Sequence, residues 1–325
     1  MSFRLCLLIA LLANPLAAQL SSEDCLGCHE GAAAVNNSIH ASMGCTDCHS
    51  DISDYPHEPA PAKVDCANCH PDAVEAWQKS WHARAIEAGN AKSATCLSCH
   101  GGNAHTILAS SNPQSPTFHS NVPQTCGTCH AQKFVMEGAG LTARPVFAYQ
   151  QSVHGRAIAA GNEKAAVCTD CHNSHAVLPA SNPESPIFKF NIPQTCGACH
   201  DDVTQVFMTS VHGKAIARGN SQSPVCTDCH GIHNIKPHID PTSTVAQLNI
   251  SRTACGQCHG NVRLTSEFGL STGRVRTYED SYHGLAQRLG SAEAANCASC
   301  HGIHNILPHE DPQSMIHPSN LAQTC

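Results

Sequence analysis

The five-residue pattern Cys-x-x-Cys-His occurs ten times in this chain. It spans Cys25–His29, Cys45–His49, Cys66–His70, Cys96–His100, Cys126–His130, Cys168–His172, Cys196–His200, Cys226–His230, Cys255–His259 and Cys297–His301. These copies use twenty of the 22 cysteines, leaving Cys6 and the final residue, Cys325. Cysteine at this level marks a disulfide scaffold in a small secreted domain, but this chain has 325 residues and its cysteines are not scattered. Aromatic residues make up 4% of it, so the polypeptide alone builds a thin core. Whatever the ten units hold has to fill the interior.

The spacing is that of a c-type haem attachment signal. Two thiols add to the two vinyl groups of the porphyrin, and the histidine that follows reaches the iron from one side. Zinc ribbons and thiol-redox motifs also contain Cys-x-x-Cys, but neither requires histidine at the fifth position in ten copies of ten. The thioether residues are Cys25 and Cys28, Cys45 and Cys48, Cys66 and Cys69, Cys96 and Cys99, Cys126 and Cys129, Cys168 and Cys171, Cys196 and Cys199, Cys226 and Cys229, Cys255 and Cys258, and Cys297 and Cys300. The proximal iron ligands are His29, His49, His70, His100, His130, His172, His200, His230, His259 and His301.

On these motifs the chain resembles the multihaem cytochromes c, in the broad grouping that includes the class III and tetrahaem cytochromes. The resemblance covers nearly all of the chain after its first residues. It implies a mostly α fold with extensive loops, little or no sheet, and short helices around closely packed, covalently bound haem c. It also implies maturation after export, and histidine as the usual sixth ligand.

The chain has 24 histidines, so fourteen lie outside the motifs. Ten of these are candidate distal ligands. One series follows the motifs: His175, His233 and His304 each come three residues after a motif histidine, and His105 comes five after His100. A histidine so close behind its own haem can hardly reach round to the opposite face, so it is expected to cap a neighbouring iron. A second series recurs as SWHARAIEAGN, SVHGRAIAAGN, SVHGKAIARGN and SYHGLAQRLGS, with His82, His154, His212 and His283. Each is expected on a helix. For His212 the helix starts in DDVTQVFMTSV with a capping aspartate, carries Val203, Val206, Phe207 and Val211 at helical spacing, and stops at Gly219–Asn220. His40 and His57 complete the ten without a repeat to support them. His119, which aligns with Lys189, and His238, His309 and His317 read as surface histidines.

The motifs repeat with a long period. Cys66 to Cys196 is 130 residues, as is Cys96 to Cys226, while Cys126 to Cys255 and Cys168 to Cys297 are 129. The division expected is a signal peptide (1–18), a two-haem leader (19–65) and two four-haem modules (66–195 and 196–324). Cys325, in SNLAQTC, parallels Cys196 in FNIPQTC and reads as the first cysteine of an eleventh motif, cut short. Pro-rich stretches such as SNPQSP and SNPESP read as loops.

The start, MSFRLCLLIALLANPLAAQ, has a basic residue, a short apolar run and small residues at Ala17 and Ala18, the pattern of a cleaved secretory signal. No other stretch is long and apolar enough to span a membrane. The formal net charge is −7 and no basic run points to nucleic acid. Five methionines, one of them Met1, leave little room for methionine ligation, so bis-histidine iron of low potential is expected. The function expected is a periplasmic electron carrier of anaerobic-type respiration. Its partners would be redox proteins, with a quinol-oxidising membrane complex as one such. The alternative is a reductase for nitrite, hydroxylamine or a sulfur oxyanion with one open iron, and Arg274, Arg276 and Tyr278 as pocket residues.

Overall fold

The computed structural model describes residues 20–57, 62–138 and 145–325; the expected signal peptide lies outside the described residues. Among the described residues, twenty short α-helices, five 3₁₀ helices and one π-helical segment follow one another, with no strand. The longest helices, Val122–His130 and Asp201–Thr209, have nine residues. Helices this short are marginal by themselves and depend on caps and tertiary contacts.

Two local devices recur along the chain. The first is a serine-capped helix. Ser80, Ser152, Ser210 and Ser281 precede Trp81–Glu87, Val153–Ala159, Val211–Ala217 and Tyr282–Arg288, and each hydroxyl accepts an N–H from the third helical residue. Ser80, Ser152 and Ser210 are fully buried. In the last three helices that third residue is Gly155, Gly213 or Gly284, and a Cβ there would lie 2.2 Å from the carbonyl oxygen of Tyr149, Phe207 or Tyr278. Glycine is required because the preceding helix passes too close for a side chain. The aromatic residue on that preceding helix also has a fixed use. Trp77 Nε1, Tyr149 Oη and Tyr278 Oη each donate to the carbonyl seventeen residues on, at Ala94, Ala166 and Ala295. Tyr278, a pocket residue in the reductase alternative, therefore carries the same structural hydrogen bond as Tyr149.

The second device staples the Pro-rich loops. Asn121, Asn191, Asn249 and Asn320 each donate Nδ2 to two loop carbonyls at 2.8–2.9 Å. Thr125, Thr195, Thr253 and Thr324 close the same loops by donating to the carbonyl nine residues back. Inside each loop a buried serine, Ser115, Ser185, Ser243 or Ser314, donates to a backbone carbonyl. The third copy has one extra residue, Ala254, between threonine and cysteine. There the chain makes a π-helical turn over Ile250–Cys255 that takes up the insertion.

The apolar core is thin, as composition implies. Among the described residues, buried apolar side chains are few and none is aromatic, and Ile192, Ile216 and Val225 form a cluster against Ile187, Phe190, Cys196 and Cys226. Five of the six largest side chains with almost no exposure are serines.

One expected element differs. The single helix read across DDVTQVFMTSV and His212 is two helices, Asp201–Thr209 and Val211–Ala217. Ser210 sits between them with extended backbone (φ −70°, ψ 168°), and its hydroxyl takes the Gly213 N–H. Capping the second helix ends the first. The aspartates Asp201 and Asp202 lie in the first turn rather than at the cap, which is His200. The stop at Gly219 has a φ of +83°, and the Asn220 N–H returns to the Ala215 carbonyl, closing the helix end.

Candidate haem-binding sites

Histidine rings meet in facing pairs. His29 and His57 have ring centres 5.8 Å apart, His40 and His70 6.1 Å, His49 and His105 6.2 Å, and His82 and His130 6.1 Å. The series continues with His100 and His175 at 6.4 Å, His154 and His200 at 6.2 Å, and His172 and His233 at 5.9 Å. His212 and His259 are 6.1 Å apart, and His230 and His304 6.0 Å. Every pair joins one motif histidine to one histidine singled out as a distal candidate. The distance has a direct meaning. A metal–imidazole bond of about 2 Å on each side, with about 1 Å from each nitrogen to its ring centre, separates the centres by ~6 Å. The residues present fit a haem iron between each pair.

The partners obey a rule that sequence spacing alone does not reveal. The helix histidines reach forward: His82 to His130, His154 to His200 and His212 to His259. The histidines that follow motifs reach back: His105 to His49, His175 to His100, His233 to His172 and His304 to His230. Thus a histidine close behind a motif faces the histidine of an earlier motif.

The two series are tied together by backbone. The N–H of Trp81, just before His82, donates to Val177, two residues after His175. Val153 donates in the same way to Ile235, and Val211 to Ile306. Ile39, just before His40, donates to Ile107, two residues after His105. That bond places His40 with the forward-reaching histidines, a membership the local sequence did not show, and keeps His105 in the backward-reaching series. His57 has no counterpart in either series.

The cysteines form a file in chain order. The first thiols of successive motifs adjoin in pairs: Cys25 with Cys45, Cys66 with Cys96, Cys126 with Cys168, Cys196 with Cys226, and Cys255 with Cys297. The second thiol of each even-numbered motif lies near the next motif: Cys48 near Cys69, Cys99 near Cys126, Cys171 near Cys199 and Cys229 near Cys258. Cys300 likewise lies near Cys325. Each motif is therefore beside the one before and the one after.

Burial favours the neutral form, the one that binds metal, in several of these imidazoles. Burial, and then the facing ring, pulls His172 and His212 down to about 4. Burial first, with smaller contributions from neighbouring rings, also lowers His82, His100, His154 and His230.

Two histidine assignments take a different place. His119 is not a spare surface residue. Its Nε2 lies 2.9 Å from Asp170 inside the Cys168–His172 motif, and Lys189, its counterpart, lies 3.4 Å from Asp228 in Cys226–His230. Both link a loop to the second motif after it, past the motif that follows directly. His283 faces no motif histidine; the ring nearest it is Tyr282, its neighbour on the same helix. His301 faces no second imidazole among the described residues.

Two family models match the chain. The model described as cytochrome c7 and related cytochrome c covers residues 53–131, and the doubled CXXCH motif model covers residues 159–205. Five of the ten motifs fall within those spans. No curated protein and no solved structure matches the chain.

Proposed function

Taking the chain as a multihaem cytochrome c built from repeated Cys-x-x-Cys-His modules, we propose that it carries electrons along a single file of haems. Haem c supplies a one-electron couple at its iron. The observation that supports a carrier most directly is the set of nine facing histidine pairs. Two imidazoles fixed on opposite sides keep the same ligands in both oxidation states, so little rearrangement opposes transfer. They also leave no coordination position for a substrate. Histidine on both sides favours a lower potential than histidine with methionine. The adjoining cysteines hold successive attachment points side by side, which supports transfer in chain order.

In this reading the ten motifs bind ten haems, in a two-haem leader followed by two four-haem modules, and Cys325 belongs to a further motif. The signal-like first residues support a periplasmic site, where haem is attached after export. No helix among the described residues is long and apolar enough to cross a membrane. Low-potential carriers of this kind suit anaerobic respiration, with redox proteins as partners and a quinol-oxidising membrane complex as one such donor.

Film voltammetry of the holo-protein, with haem counted by mass on the same sample, tests the proposal. The expected result is ten haems per chain and a broad, reversible, low-potential wave that holds ten electrons. Isolated haems that exchange electrons with the electrode but not with one another would overturn it. The reductase alternative needs one iron left open to substrate. A catalytic current on adding nitrite, hydroxylamine or a sulfur oxyanion would favour that reading.

A further inference from the structure

Three copies of the stapled loop are tied to the second motif after them, each by a different chemistry. His119 Nε2 lies 2.9 Å from Asp170, and Lys189 Nζ lies 3.4 Å from Asp228. In the third copy Asn296 Nδ2 donates to the Gln247 carbonyl at 3.3 Å. Positions 119, 189 and 247 are equivalent, each two residues before the asparagine that staples its loop. Asp170 and Asp228 stand directly before the thioether residues Cys171 and Cys229, and Ser299 takes that place before Cys300.

Both ends of the Lys189–Asp228 pair are held. Asp228 also accepts the N–H of the buried Val225 at 2.8 Å. Lys189 opens the turn Lys189–Asn191, and Asn191 is bonded to two loop carbonyls. The two side chains are 34% and 44% exposed, so solvent weakens their attraction without cancelling it. The field of Asp228 reaches the attachment point: burial first, and then this carboxylate, pushes the Cys229 thiol up to about 11. A ferric haem carries one more positive charge than a ferrous one. A carboxylate beside it therefore favours the oxidised state and lowers its potential, and a cation beside the carboxylate takes that effect back.

We propose that Lys189 is a positioning residue for electron transfer: by holding and neutralising Asp228, it keeps the potential of the haem on Cys226 and Cys229 above the value the aspartate alone would set. This deepens the carrier reading and rests on it. The Cys297 motif needs no such cation, because Ser299 stands where the carboxylate would be and its link to the loop is uncharged.

The test is film voltammetry of the holo-protein at low ionic strength, with haem counted by mass on each sample. Lys189→Gln should move one electron of the ten-electron wave to lower potential. Asp228→Asn, which keeps an oxygen for the Val225 N–H, should move one electron to higher potential. The double variant should return close to the unaltered wave, and Lys189→Arg should match it. Added salt should shrink both shifts, since the pair is partly exposed. Cys226→Ala/Cys229→Ala removes the haem itself, and adding Lys189→Gln to it should leave the remaining nine-electron wave in place.

Single variants that shift the wave in the same direction, or that leave it unmoved, would overturn the assignment, because a merely structural contact has no sign. So would a shift that survives loss of the haem on Cys226 and Cys229. If the haem-deleted variant does not mature, the opposite signs of Lys189→Gln and Asp228→Asn still decide the matter. The two readings fail separately. Ten electronically connected haems with no shift in either variant leaves the carrier standing alone. Opposite shifts among haems that do not exchange electrons leaves the role of Lys189 without the carrier.

Discussion

The helix histidines and the loop histidines reach the same goal by different means. His82, His154 and His212 ride on short helices, each started by a buried serine and stopped by a left-handed glycine. Their rings cross the facing motif rings at 45–64°. His175, His233 and His304 sit in irregular backbone just after a motif, and their rings lie within 16–21° of parallel to their partners. A helix fixes its side chain by its own hydrogen bonds. A loop does not, and here it borrows rigidity through the Trp81–Val177, Val153–Ile235 and Val211–Ile306 bonds. The lesson is that a ligand need not sit on regular structure if its backbone is pinned to something that does.

The broadest challenge removes what both series grip. Protein made without haem attachment should lose its cooperative unfolding transition and most of its helical circular dichroism, because the apolar core is too small to hold twenty short helices. A folded apo-protein would mean that the loops and caps suffice by themselves.

A sharper challenge separates the series by spectroscopy. In the oxidised protein, crossed imidazole planes should give low-spin paramagnetic resonance signals with a large highest g value, and near-parallel planes a rhombic set. His212→Ala should reduce the first group and His233→Ala the second. If both variants bleach the same signal, the ring angles do not distinguish the sites.

Next comes the helix contact itself. Gly213→Ala places a methyl 2.2 Å from the Phe207 carbonyl. It should destabilise the holo-protein by about 1–3 kcal/mol in denaturant unfolding, as overpacking does. Alanine already stands at the equivalent position 83, so Ala83→Gly should cost no more than about 1 kcal/mol. Equal costs would break the claim that the helix pairs are packed more tightly in the later repeats. The smallest effect is the cap: Ser210→Ala should cost about 1 kcal/mol and shift the His212 signal, leaving the His233 signal in place.

Much of the site could be read from the chain. The ten motifs, the all-helical character and both histidine series follow from five-residue patterns and short repeats. What could not be read was partnership. His233 meets His172 across 61 residues, and His304 meets His230 across 74, distances over which no local rule operates. His40 looked isolated because its series is marked by a backbone bond from Ile39 to Ile107, not by flanking residues. The break at Ser210 was hidden by apolar spacing that continues across it. A serine can cap or sit inside a helix, and the close approach at Gly213 decides between them.

The π-turn at Ile250–Cys255 has a consequence for how such a chain tolerates change in length. One surplus residue is swallowed within a single turn, directly before a haem attachment point, and Cys255 still meets Cys297 and His259 still meets His212. It works as an expansion joint in a rail: local slack is spent where it arises, and alignment further along is untouched. Insertions placed just ahead of Cys126 or Cys196 should be forgiven in the same manner, whereas one placed between a serine cap and its histidine would have nowhere to go.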